Sequence, residues 1–378
     1  MNEKEVAEIR RRFNPQKTNI SRIQGCYVNE EGKILTEFSQ PLVTLLEEET
    51  QAVLTLLKKA LSGTLDKNLI NLEFPNAEII GGQKHKNLLS LRDSALNDTE
   101  ALHSLFENIV SSIGLHESYI IIAGFDTYDV FRYTEDGKRE DDSEEQFGYF
   151  VCAVCPLKLT KPALSFTAYD NAFHSIAASS AISSPELGFM FPAFDDRAAN
   201  IYGTLFYTKD SSIDRSETVN ALFSAELPMP ADSQKDNFDT ILTRSLGDQC
   251  DIEMVKGVNS RISDMLTEHK EQKNPDTLTL SLDDISDILR SCDASNDKIE
   301  TFAAKYGEIF GEKTRLSARN IVDPRHFSIN MTDVSIRVNP EKSGLLSTGV
   351  IDGTRYILVR AEEAVEVNGI TINIADDM

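Results

Sequence analysis

Residues 118–125 read SYIIIAGF, and from Tyr119 to Ala123 the run is apolar without alternation. A strand with one wet face alternates polar and apolar side chains, so an unbroken run points to a central strand covered on both faces. The segment before it carries Leu102, Leu105, Phe106, Ile109 and Ile113 at helical spacing, with Thr99 as the expected N-cap. After it, DTYDVFRY (126–133), FGYFVCAVCPLKL (147–159), ALSFTA (163–168) and IYGTLFYT (201–208) read as further strands. An acidic insertion at 135–146 sits between the first two, in the middle of a large hairpin. Strands and helices are thus interleaved, and the fold class is α+β.

Working toward the N-terminus, EKEVAEIRRRF places Val6, Ile9 and Phe13 on one face of a short helix that Asn14-Pro15 ends. ISRIQGCYV and KILTEF are strands around Asn29-Glu30-Glu31-Gly32. A helix at about 47–61 has Glu47, Glu48 and Glu49 at its start and Lys58 and Lys59 at its end, matching its dipole. Its inner face is Val53, Leu56, Leu57, Ala60 and Leu61. NLINLEF is a strand stopped by Pro75. Residues 1–227 therefore form one mixed α+β domain, and LPMPADSQKDN (227–237) is the expected linker.

Residues 238–378 form the second region, a helical segment followed by an antiparallel β meander. Phe238, Ile241, Leu242 and Leu246 make one helical face. Val255, Val258, Ile262, Met265, Leu266 and His269 make the next. Ser281 to Asp284 resembles a capping box, and Ser295 caps a helix that Gly311 closes. Asp352-Gly353 and Asn368-Gly369 are two-residue hairpin signals, the second flanked by Val365, Val367, Ile370, Ile372 and Ile374 with period two.

Among 378 residues, 61 acids and 38 bases leave a net charge of −23. That field opposes generic binding to nucleic acid and favours solubility. The first twenty residues carry charges throughout and no apolar core, so no signal peptide is expected. The longest nearly apolar run, YFVCAVCPL (149–157), falls far short of the ~20 residues of a membrane helix. Five cysteines, an odd and low count, suit a reducing cytoplasm. Residues 1–24 stand apart, with six bases against three acids.

The sharpest candidate site is GFMFPAFDDR (188–197). Asp195, Asp196 and Arg197 follow an aromatic run, with Asp170 and His174 upstream in YDNAFH. Two carboxylates and an imidazole could hold a divalent ion and activate water, and Arg197 could neutralise a phosphate. The plainer reading is a turn at a strand end with Arg197 held by a carboxylate. Arg10, Arg11 and Arg12 could grip phosphate or an acidic partner, but three consecutive residues fan around a helix rather than form one cleft. Cys152 and Cys155 form a C-x-x-C in a strand, where period two sends them to opposite faces. DASNDKIE (293–300) begins like a calcium loop but has Lys298 where glycine is needed and Ala304 where glutamate is needed. No nucleotide-binding glycine motif or nucleophile elbow is present.

EVAEIRRRFNP (5–15) with NISRIQGCYV (19–28), CPLKLTKP (155–162) and GFMFPAFDDR resemble the signature stretches of a bacterial family classed as a domain of unknown function and associated with anaerobic Gram-positive bacteria. The resemblance implies a single full-length unit and a cytoplasmic protein, and it carries over no catalytic residue. The expected function is a non-enzymatic cytoplasmic interaction protein, with a protein partner or self-association, no membrane, no metal and no cofactor. The alternatives are a metal-dependent phosphate-ester hydrolase built on Asp195, Asp196, His174 and Arg197, and nucleic-acid association through the basic N-terminal helix.

Overall fold

The computed structural model describes residues 1–130, 145–361 and 365–372. The chain divides into two compact units, one of Met1–Pro230 with Pro275–Thr277 and one of Ala231–Asn274 with Leu278–Met378. The acidic insertion expected in the central hairpin lies almost wholly outside the described residues, and Ile374 lies outside them too.

The first unit opens with α1 (Glu3–Arg10), β1 (Arg22–Val28), β2 (Ile34–Pro41), α2 (Glu47–Lys59), β3 (Leu69–Glu73), α3 (Asn76–Gly81), α4 (Gln83–Asp93) and α5 (Thr99–Ser112). It continues with β4 (Tyr119–Val130), β5 (Glu145–Leu159), β6 (Ala163–Thr167), β7 (Ala172–Ile176), β8 (Ser180–Ile182) and β9 (Leu187–Phe191). It ends with β10 (Ala193–Asp195), β11 (Ala198–Asn200), β12 (Gly203–Thr208) and α6 (Ser216–Phe223). The SYIIIAGF run and the DTYDV segment after it are one strand, β4, rather than two. Nothing between Phe125 and Asp126 turns the chain, and the pairing with β5 is continuous from Tyr119↔Pro156 to Val130↔Glu145.

The main sheet runs in the order β2-β1-β4-β5-β9-β12-β3, and β8 pairs with the end of β5. Every pairing along it is antiparallel. Both faces are covered, as the unbroken apolar run required. Ile121, Ala123, Phe150, Phe189 and Phe206 belong to a core that includes Leu88 of α4, Leu102 and Phe106 of α5 and Val219 of α6. Ile122, Tyr149, Val151, Met190 and Leu205 belong to a second core that includes Val6 and Ile9 of α1 and Leu54 and Leu57 of α2. Cys152 falls in the first core and Cys155 in the second, so the C-x-x-C pair is split across the sheet. On α2, Leu57 is seated as expected and Leu54 joins it, while Val53 and Leu56 pack at the margin. Gly188 lets α2 approach, since a Cβ there would come within 2.7 Å of the Ala60 methyl and 2.5 Å of the Cys152 carbonyl oxygen. The N-cap of α5 is Asp98, which accepts a hydrogen bond from the Ala101 amide; Thr99 is the first helical residue.

The second unit holds α7 (Ala231–Leu246), α8 (Ile252–Glu271), β13 (Thr279–Leu280), α9 (Leu282–Ser291), α10 (Asn296–Ile309), β14 (Leu316–Ser317) and α11 (Ala318–Ile321). Phe238, Ile241, Leu246, Ile262, Ile285, Leu289, Phe302 and Tyr306 form its core. Helix α7 begins inside the expected linker. On α8, Val258, Ile262, Met265 and Leu266 face the core as expected, but Met254 rather than Val255 begins the stripe. Ser281 and Asp284 form a reciprocal capping box. Ser295 stands at the N-cap of α10, but its side chain makes no capping hydrogen bond.

The C-terminal strands are β15 (Phe327–Asn330), β16 (Ser335–Val338), β17 (Leu346–Ile351), β18 (Thr354–Val359), β19 (Val365–Val367) and β20 (Ile370–Ile372). They are antiparallel and pair hairpin by hairpin, β15 with β16, β17 with β18 and β19 with β20. Asp352 (φ 50°) and Gly353 (φ 79°), and Asn368 (φ 51°) and Gly369 (φ 81°), supply the positive φ angles of type I′ turns.

Candidate functional site

The aromatic run at 188–194 lies inside the first unit. Phe189, Phe191 and Phe194 are fully buried. Phe194 packs on Phe147, with ring centroids 4.7 Å apart, and on Tyr128, at 6.1 Å. Beyond it, Asp196 (φ 49°) and Arg197 (φ 61°) form the two-residue turn of the β10–β11 hairpin. Aspartate tolerates this left-handed backbone, whereas arginine adopts it at a cost that its contacts must offset. Those contacts come from α1: Arg197 Nη1 donates to Glu8 Oε2 at 2.7 Å and Oε1 at 3.0 Å. Asp195 accepts from Asn200 Nδ2 at 2.6 Å and also meets the Met1 ammonium. Asp196 is exposed at the tip.

Glu8 serves a second donor, the Tyr128 hydroxyl. Burial, together with the neighbouring Glu8 carboxylate, pushes the Tyr128 phenol up to about 12. The Arg12 guanidinium lies 5.4 Å over the centre of the Tyr128 ring. Its Nε donates to Asp126 Oδ2 at 3.1 Å, and its Nη2 donates to the Thr127 carbonyl at 3.1 Å. Burial alone would lower the Arg12 pKa, but Asp126 outweighs it and the guanidinium is held charged. Asp126 is buried and also accepts from the Asn19 amide at 2.7 Å and the Tyr149 hydroxyl at 2.9 Å. The N-terminal bases therefore spread around their helix: Arg12 turns inward, Arg11 is exposed and Arg10 is half-buried.

Asp170 and His174 sit on the separate β6–β7 hairpin. There His174 Nε2 and Asp170 Oδ2 are 2.7 Å apart, and both are exposed. The five candidate residues thus fall into two groups, Asp195, Asp196 and Arg197 in one turn and Asp170 with His174 in another hairpin. Among the described residues, no group of three or more His, Cys, Asp or Glu side chains is placed to hold a metal ion. All five cysteines are free. Burial pushes the Cys26 and Cys155 thiols up to about 12 and the Cys152 thiol higher, which keeps all three protonated and inert.

Three surface features escaped the reading of the sequence. His103, on α5, bridges Glu37 of β2 (2.5 Å) and Glu107 (3.2 Å), and these contacts raise its pKa, the Glu37 hydrogen bond most. An open groove of about 660 Å³ in the second unit is lined by Asp248, Asp251, Glu253, Asp264, Asp293 and Arg261. The third is the apolar face of the β6–β7 hairpin, where Leu164, Phe166 and Phe173 are exposed. Its sequence signal is the alternation in ALSFT, which puts Leu164 and Phe166 on one face of the strand.

Fold and site define a mixed α+β protein in which Arg12, His174 and Arg197 are each held by a carboxylate of the first unit. The chain matches the family model described as Domain of unknown function (DUF4317) over residues 1–370, and it belongs to that family. No curated protein matches it. Among the described residues, no helix is long and apolar enough to cross a membrane.

Proposed function

We propose that the protein is a non-enzymatic interaction protein of the bacterial cytoplasm. The observation that carries the reading is the exposed apolar face of the β6–β7 hairpin, where Phe173 is 71% and the neighbouring Tyr169 97% exposed. Large apolar side chains gathered on a surface mark a place where another molecule docks. The engagement of three of the charged candidates supports the same reading: Arg197 is held by Glu8, Arg12 by Asp126 and His174 by Asp170. An arginine committed to a carboxylate is a poor phosphate clamp, so the hydrolase and nucleic-acid alternatives have less support. Free and largely buried cysteines suit a reducing compartment.

Affinity capture from cell lysate with the wild-type chain and with a Phe166→Ser/Phe173→Ser variant tests this. A specific protein, either another chain or a further copy of this one, retained by the wild type and lost by the variant is the expected result. Phosphate-ester turnover that requires a divalent ion and disappears in Asp195→Asn would overturn it.

A further inference from the structure

We infer that the apolar face of the β6–β7 hairpin docks against a second copy of this chain; the inference rests on the interaction reading above and names its partner. The hairpin is two-faced. Phe166 and Phe173 are directly opposed in its register, Leu164 lies two residues along the same face, and the Phe rings contact each other at 5.3 Å. Ser175, opposite Leu164, completes that face, and Ala163, Ser165, Thr167, Ala172 and His174 occupy the other. Leu159 and Ile182 flank the hairpin in the β5–β8 pairing, and both are exposed. A two-stranded hairpin is marginal on its own in water, and this one leaves its apolar face uncovered among the described residues.

Area and charge indicate what covers it. Taking roughly 200 Å² for a fully exposed large side chain, Leu164, Phe166 and Phe173 on their shared face offer about 400 Å². Interfaces are a little over half apolar, so this is roughly the apolar part of the ~800 Å² each partner buries in a standard interface. The chain carries −23, so two copies repel and can meet closely where acids are sparse. Residues 157–185 hold Lys158 and Lys161 against one acid, Asp170, which is paired with His174.

Backbone geometry argues for a copy as well. Strands β6 and β7 pair with each other, and their outer edges have no strand partner among the described residues. An edge strand that pairs antiparallel with its own copy generates a twofold axis and a closed dimer, which also removes the exposed edge.

Sedimentation velocity on the full chain, from about 1 to 100 µM, tests the inference. The expected result is a dimer whose dissociation constant falls severalfold as salt is raised from about 0.02 to 0.2 M, because screening weakens the mutual repulsion. Phe166→Ser/Phe173→Ser should weaken it by about a hundredfold or more, since two apolar side chains leave the interface. Leu164→Lys, a change at an exposed position that leaves the thermal transition in place, should do the same and guards against misfolding of the double variant. A wild type that is monomeric at every concentration, or a dimer indifferent to both variants, overturns the inference. A monomer that still captures another protein through this face sinks self-association while leaving the interaction reading intact. A monomer that captures nothing sinks both, and binding of monomer to phosphatidylserine vesicles would assign the face to a membrane.

Discussion

Arg197 and Glu8, 189 residues apart in the chain, form a two-oxygen ion pair that ties the turn of the β10–β11 hairpin to the N-terminal helix. Glu8 also takes the Tyr128 hydroxyl, so one carboxylate links α1, the β4 strand and the turn. The Arg197 side chain is 38% exposed, which limits the pair's worth. A double-mutant cycle on Glu8→Gln and Arg197→Ala should give a coupling of about 0.5–1 kcal/mol by urea denaturation. Asp196→Asn, at the exposed tip and with a residue equally tolerant of positive φ, should shift stability by less than about 0.5 kcal/mol. A loss of several kcal/mol at Asp196 would mean that the turn carries more than its backbone shape.

Asp126 is a different case, because it is buried and serves Arg12, Asn19 and Tyr149 together. Asp126→Ala strands the inward-turned guanidinium and the Tyr149 hydroxyl without their acceptor. The expected cost is about 3 kcal/mol or more by denaturant titration. Tyr149→Phe should cost about 1 kcal/mol, because it removes one donor and leaves the carboxylate its other bonds. If Asp126→Ala cost no more than Tyr149→Phe, the network would not be holding Arg12 in place.

The legible parts of the fold were those encoded in local pattern. The run at 119–123 announced a strand covered on both faces, and Ile121 and Ile122 do enter opposite cores. Asp352-Gly353 and Asn368-Gly369 announced their turns through residues that accept positive φ. The turn at Asp196-Arg197 was readable as a turn, and so was a carboxylate partner for Arg197. That the partner is Glu8 was not readable, because tertiary pairing at such separation leaves no spacing in the sequence. Helix α4 went unread: with Gly81 and Gly82 before it and a polar start, it has little amphipathic pattern, and it is seated by the buried His85, Leu88 and Leu91. Of the β6–β7 hairpin only β6 was read as a strand, and exposure is a property of what fails to pack on it, which periodicity does not report.

His103 gives a pH dependence of defined sign. Hydrogen bonds to Glu37 and Glu107 favour the imidazolium, so its folded pKa lies above the ordinary value of 6.5. A raised folded pKa means that the stabilisation is fully present below about 6.5 and is lost as pH rises through the folded value. Melting temperatures of wild type and His103→Gln should therefore differ most near pH 6 and converge at alkaline pH. The site is half exposed, so the difference should be small and should shrink further in 0.5 M salt. A gap that widens with rising pH would reverse the sign and exclude the bridge as its source.

The two type I′ turns separate a conformational cost from a steric one. A Cβ at Gly353 or Gly369 would meet no atom within 4 Å, so replacement there is resisted by positive φ alone. Valine is β-branched and disfavours that region, and Gly→Val should destabilise either hairpin by about 1 kcal/mol or more. The readout should differ between them. The β17–β18 hairpin is anchored by the buried Leu346, whose carbonyl accepts a hydrogen bond from Lys256 Nζ of α8 at 2.9 Å. Gly353→Val should therefore lower the denaturation midpoint of the second unit. The β19–β20 hairpin is largely exposed, and Gly369→Val should leave that midpoint in place while speeding amide hydrogen exchange at Val367 and Ile370. Gly369→Asn should spare the exchange rates, because asparagine accepts the same φ. Equal effects of valine and asparagine at 369 would show that positive φ is not what the turn requires.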